Sequence, residues 1–264
     1  LSEQLSDREL VLLEEIEHIR DRVYLLDNKR DFFVNIFNEV RHSLYDSSSL
    51  KGVLEIKSFY SFFSMEPSYN YFSSCNFIIK TDFTELLLRE SIGGGDDFER
   101  FMKLFAESFS DDIECPLLVP WVATVELEEY ARMLGAALPG KEMILMLNES
   151  VLESIPAEML VGLASDLPDN VSLGIDNCYI GNDILNILST VDIGLLCFSE
   201  NIIRNIHLFP ERIKIINGLK LFADELGIPV LARNILLEDE FQILKDLRIS
   251  HASGPFISNM RQAP

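Results

Sequence analysis

Between residues 7 and 27 the apolar positions Leu10, Leu13, Ile16, Ile19, Val23 and Leu26 fall three or four apart among charged neighbours, a spacing that predicts an amphipathic helix. Beyond it the period shortens. Residues 32–37 and 52–57 read as strands on either side of a turn at 46–49, so the first two strands can pair as an antiparallel hairpin. The polar and aromatic run over 64–75 reads as a loop. From there the chain alternates. Helical spacing is predicted over 84–90, 97–109, 126–137, 155–167, 183–189, 211–226 and 237–247. Short apolar strands fall at 116–122, 142–147, 171–175, 192–197, 228–232 and 248–252.

These six strands alternate with helices and have cores that are apolar on both faces, so the predicted sheet is mostly parallel and covered by helices. The fold class is α/β, and a closed TIM-like (β/α) barrel with an antiparallel first strand fits best. In such a barrel the reacting groups sit at the carboxyl ends of the strands and in the loops that follow.

The chain's 264 residues suit one barrel, which we assign to 28–264 after an amino-terminal helix and linker over 1–27. With 48% hydrophobic and 25% charged residues the composition is globular. The 43 acidic and 22 basic side chains give a net charge of -21, which repels a phosphate backbone and excludes a nucleic-acid polymer as the expected partner. No apolar stretch approaches the roughly 20 residues of a membrane span, so direct membrane insertion is not expected. Cys75, Cys115, Cys178 and Cys197 form no CxxC pair, and three of them sit among apolar neighbours as buried thiols do, which reads as a reducing, cytoplasmic compartment. A start at Leu1 rather than Met fits the cytoplasmic domain of a larger protein.

At the predicted strand ends stand Glu55, Glu149 and Asp176, the last followed by Asn177. Carboxylates gathered at one barrel end are the usual oxygen ligands of Mg²⁺ or Mn²⁺, although each alone also reads as a polar residue opening a loop. The Gly93-Gly94-Gly95-Asp96-Asp97-Phe98 run resembles a phosphate-cradling loop, but Phe98, Phe101, Met102 and Phe105 follow at helical spacing. A flexible loop with Asp96 or Asp97 capping a helix explains it better. His18, His42, His207 and His251 have no ligand spacing, and the P-loop, dinucleotide, zinc-peptidase and serine-hydrolase motifs are absent.

Several segments, taken in order over residues 7–264, are similar to the EAL-domain family, the bacterial cyclic di-GMP phosphodiesterase fold. Gly52-Val53-Leu54-Glu55-Ile56-Lys57 resembles the strand carrying the Glu-Ala-Leu signature. Met143 to Ser150 is similar to the strand ending in Thr-Glu-Ser, and Leu173 to Gly181 to the Asp-Asp-Phe-Gly-x-Gly segment. The strongest stretch runs from Leu221 to Ala232, continues through a helix to Leu247, and ends in Ser253-Gly254-Pro255-Phe256-Ile257-Ser258.

The resemblance implies a barrel whose active members bind two Mg²⁺ or Mn²⁺ ions and hydrolyse one phosphodiester bond. It also implies that this chain is a degenerate member. Glu55, Glu149 and Asp176 match the family's metal-ligating carboxylates, while Asn177 stands where a second Asp is expected. Residues 119–125 offer no metal-binding Asn, and Leu195 or Cys197 replaces a lysine. Arg233 stands in for a pocket Glu, Leu236 for the next acid, and Ser253 for a Gln. Four positions, Glu55, Glu149, Asp176 and Asn177, are therefore vestigial metal-ligand positions, with no catalytic residue, resident metal or cofactor expected. Lys57 and Arg233 are candidate phosphate-binding residues.

The expected function is a catalytically inactive domain acting in bacterial signalling or motility by protein–protein contact. The alternatives are a non-hydrolysing cyclic di-GMP receptor, and a weak phosphodiesterase using Mg²⁺ or Mn²⁺. A homodimer is also compatible with the resemblance. The aromatic run over 59–72, with Tyr60, Phe62, Phe63, Tyr69 and Tyr71, is either a contact surface or a buried barrel cap.

Overall fold

The computed structural model describes residues 54–74, 95–121, 126–148, 152, 155–178 and 184–262. The helices expected over 7–27 and 84–90, the strand over 32–37 and the side chain of Glu149 lie outside them. Eight strands close into a barrel in chain order: β1 Leu54–Ser61, β2 Pro67–Ser74, β3 Leu117–Pro120, β4 Met143–Asn148, β5 Val171–Cys178, β6 Ile193–Phe198, β7 Val230–Ala232 and β8 His251–Ala252. β1 runs antiparallel to both of its neighbours, β2 and β8, and every other pair is parallel. Leu54 pairs with Ser74, so the beginning of β1 lies level with the carboxyl ends of the other strands.

The antiparallel hairpin exists, but its partner strand is not 32–37. β1 pairs with β2, within the run read from sequence as a loop. The polar residues that disguised it have a structural use. Asn70, 4% exposed, donates from Nδ2 to Ser58 Oγ at 3.1 Å. Its Oδ1 accepts from the backbone N–H groups of Glu114 and Cys115 at 3.2 and 3.0 Å. A buried amide with its polar groups paired is cheap, and here it ties the hairpin to the segment entering β3.

Among the described residues the helices are α1 Gly95–Phe109, α2 Leu127–Ala137, α3 Ala157–Asp166, α4 Ile184–Thr190, α5 Glu200–Ile203, α6 Pro210–Glu225, α7 Glu238–Asp246 and α8 Pro255–Gln262. Six match sequence expectations to within a few residues. The short α5 and the carboxyl-terminal α8 were not anticipated, and Asp96 and Asp97 lie inside α1 rather than capping it. On α1, Phe98, Phe101, Met102, Phe105 and Phe109 form a buried stripe. Phe98 stacks on Tyr130 of α2 with ring centroids 4.0 Å apart. The Tyr130 hydroxyl donates to the Pro120 carbonyl at 2.7 Å, pinning α2 to the end of β3.

Two hydrophobic layers result. Outward-facing strand residues such as Val119, Leu145, Leu147, Leu173, Ile175 and Leu196 pack against the helices. Phe59, Leu118, Ile144, Met146, Leu195, Cys197 and Leu231 fill the barrel interior, with Tyr69 and Tyr71 packed against them. The interior is thus a packed core rather than a pore. Gly174 makes room for it: a Cβ there would lie 2.6 Å from Met146 Sδ.

Most of the aromatic run belongs to these layers. Phe59 and Phe62 are buried, Tyr60, Tyr69 and Tyr71 are half-buried, and Phe63 alone of these six rings is largely exposed, at 75%. A contact surface built from the whole run is therefore ruled out, because alternation in a strand turns Phe59, Tyr69 and Tyr71 inward.

Candidate functional site

Glu55 was expected at the carboxyl end of a forward-running strand. It reaches the carboxyl-terminal rim for the opposite reason, standing near the beginning of a reversed strand. Alternation places Glu55, Lys57 and Phe59 on one side of β1, with Phe59 in the barrel interior. Lys57 Nζ lies 2.7 Å from Glu55 Oε1, in a pair whose side chains are 45% and 46% exposed.

Asp176 stands near the end of β5, in register with Asn148 at the end of β4. Arg233 directly follows β7. Two strands and 57 residues apart, they form an ion pair, Arg233 Nη1 to Asp176 Oδ2 at 3.0 Å, with side chains 26% and 16% exposed. The guanidinium carbon lies 5.8 Å from the Phe59 ring centroid and 5.7 Å from that of Tyr71. One cation thus links β5 and β7 to the aromatic hairpin across the barrel mouth.

Cys197 on β6, between those strands, is fully buried, and its thiol is pushed far above its usual range. Burial is the main cause; Asp176 adds to the rise and Arg233 opposes it. Such a thiol is protonated and unreactive at neutral pH. Ser253, 1% exposed, stands one residue beyond the Ala232–Ala252 pair, level with Arg233.

Asn177 adopts a left-handed backbone (φ 55°) where the β5–β6 register shifts, and its N–H donates to Asp176 Oδ1 at 2.8 Å. Both oxygens of Asp176 therefore have partners. Glu55 and Asp176, the expected acidic ligands that lie among the described residues, each already carry a cation. No group of three His, Cys, Asp or Glu side chains able to hold a metal occurs among the described residues. Lys57 and Arg233, the candidate phosphate-binding residues, each lie against a carboxylate.

Beside the mouth, Glu240 of α7 is 1% exposed and holds two rim loops together. Its Oε1 accepts from Asn205 N–H at 2.6 Å, in the loop after β6. Its Oε2 accepts from Leu236 and Leu237 N–H at 2.9 and 3.1 Å, in the loop after β7. Sequence reasoning missed Glu240, and it took Phe59 and Tyr71 only as part of an aromatic run, without placing them beside Arg233. Leu237 at the N-cap of α7 has no side-chain oxygen to complete a capping box, so Glu240 carries no such signal, whereas strict alternation along both hairpin strands marks Phe59 and Tyr71 as facing one side.

A closed eight-stranded α/β barrel with one reversed strand collects these charged side chains at the rim where the parallel strands end, which is where barrels of this architecture carry their sites. No family model and no curated protein matches the sequence. The fold is nonetheless specific. It is similar to the EAL domain of DcpA from Mycobacterium smegmatis (TM-score 0.62, 14% identity, 78% of this chain and 91% of that one). An EAL domain protein from Listeria monocytogenes matches at TM-score 0.60 and 12% identity, over 86% and 95% of the two chains. The PaMucR phosphodiesterase, solved as a c-di-GMP complex, matches at TM-score 0.57 and 15% identity, over 83% and 95%. The chain has the EAL-type barrel fold. Among the described residues no helix is long and apolar enough to cross a membrane.

Proposed function

We propose that this chain is a non-catalytic EAL-type domain that acts in bacterial cyclic di-GMP signalling or motility through protein–protein contact. The observation that carries this reading is the Arg233–Asp176 pair at the barrel mouth. A unit charge about 4 Å from another is worth about 4 kcal/mol at an effective dielectric of 20, so a divalent ion there would meet about 8 kcal/mol of repulsion from the guanidinium. Two-metal hydrolysis needs adjacent cations and a water of lowered pKa between them. Asp176 is committed to Arg233, and Asn177 supplies no charge. A barrel that keeps its packed interior while its mouth is closed by its own cation is suited to presenting a surface. The PaMucR structure, a phosphodiesterase with c-di-GMP, supports the signalling setting.

A receptor reading has one observation in its favour. The Lys57–Glu55 pair is nearly half exposed, and exposed pairs contribute only about 0–1 kcal/mol, so a phosphate could displace Glu55 from Lys57 at little cost. Calorimetry with cyclic di-GMP, with and without Mg²⁺ or Mn²⁺, tests both. The non-catalytic, contact-based reading expects no heat and no thermal shift. Binding without product would replace it by the receptor; linear dinucleotide accumulating over time would restore a phosphodiesterase built on Glu55, Glu149 and Asp176.

A further inference from the structure

The groove between α2 and α3, on the outer wall of the barrel, carries a specific chemistry. Its volume is about 510 Å³. Ala131, Leu163, Leu167 and Pro168 contribute its apolar part. Glu128, Glu129 and Asp166 are exposed along its edge, against one basic residue, Arg132. The neighbouring groove between α1 and α2 differs: there Glu99 and Glu107 are balanced by Lys103 and Arg132. The α2–α3 groove therefore has a sign as well as a shape.

We propose that the α2–α3 groove is a docking site for a basic, amphipathic segment of a partner protein. An aliphatic side chain of that segment would sit over Leu163, Leu167 and Pro168, and flanking Lys or Arg residues would meet Glu128, Glu129 and Asp166. Charge selects this occupant over the others. A second copy of the chain carries the same net charge of -21 and would bring acid against acid. An anionic lipid surface and a nucleic-acid backbone are repelled on the same ground. The chain's own amphipathic stretch over 7–27 is a poor match, with seven acids (Asp7, Glu9, Glu14, Glu15, Glu17, Asp21, Asp27) against three arginines (Arg8, Arg20, Arg22). A basic partner is drawn in by the long-range field and then positioned by the apolar groove. This deepens the contact-based reading by naming a surface and a partner class.

The test uses the full chain and a fluorescein-labelled synthetic helix of leucine and lysine with one apolar face, read by fluorescence anisotropy. A peptide of identical composition with the pattern scrambled is the control. The expected result is saturable binding that the scrambled peptide lacks, that weakens as salt rises, and that falls at least tenfold in Glu129→Lys/Asp166→Lys. These substitutions are at exposed positions, and unchanged urea midpoints will show that the variant folds. Equal binding of both peptides, or binding that survives the charge reversals, overturns the proposal by reducing it to general attraction to an acidic protein. Absence of binding overturns it as well. The readout contains no cyclic di-GMP, so hydrolysis or nucleotide binding found by calorimetry would sink the contact-based reading of the barrel mouth while leaving the groove to stand or fall on its own result.

Discussion

Replacing Arg233 by Met removes a charge and two ring contacts while keeping most of the side-chain volume. Coulomb's law gives about 4 kcal/mol for unit charges ~4 Å apart at an effective dielectric of 20. Arg233 and Asp176 are 26% and 16% exposed, so water screens part of that, and fully exposed pairs yield under about 1 kcal/mol. A net of about 2 kcal/mol lies between these limits. The guanidinium's approach to Phe59 and Tyr71, 5.8 and 5.7 Å from their centroids, adds about 0.5 kcal/mol for each ring. Arg233→Met is thus expected to cost about 3 kcal/mol and Asp176→Asn about 2. The double variant should lose the pair only once and cost about 3 kcal/mol, leaving a coupling energy of about 2. Urea unfolding of the four proteins, followed by circular dichroism, gives each value; with m near 3 kcal/mol/M, Arg233→Met shifts the midpoint by about 1 M. A coupling below about 0.5 kcal/mol would refute the claim that this pair locks the barrel mouth.

Three further outcomes are expected. Glu240→Ala strips an acceptor from the N–H groups of Asn205, Leu236 and Leu237; at about 1 kcal/mol for each bond the loss is about 3 kcal/mol in urea unfolding, and a change below about 1 would show that water replaces the carboxylate. Arg248 caps α7 with a left-handed backbone (φ 58°), its N–H and that of Ile249 returning to Lys245 and Leu244 carbonyls, so Arg248→Gly relieves strain and raises stability by about 0.5–1 kcal/mol, unless the urea midpoint stays or falls. Burial holds the His251 imidazole below its usual range, so the unfolded chain binds the proton more readily; the stabilising effect is complete above about pH 6.5 and is lost as pH falls below it. Between pH 7.5 and 5.5 the urea midpoint should therefore drop further in the wild type than in His251→Gln, and equal drops would exclude His251 as a cause.

The sequence by itself determined the alternation of apolar strands and helices from Leu117 onward, because strands buried on both faces must be apolar throughout and helices over them must be amphipathic. It also singled out Arg233 as a charged candidate beyond a predicted strand, since charge is a property of a residue type. What lay beyond it depended on neighbours distant along the chain. β2 reads as a loop because Asn70 and its serines are polar, and only the pairing with β1 turns Tyr69 and Tyr71 inward and gives Asn70 its partners. Arg233 and Asp176 are 57 residues apart, so their ion pair exists only once β5, β6 and β7 lie side by side. The same holds for Glu240, whose carboxylate joins two loops that no local pattern relates. Periodicity records which side of an element is buried; the identity of the group waiting there is decided by closure of the barrel.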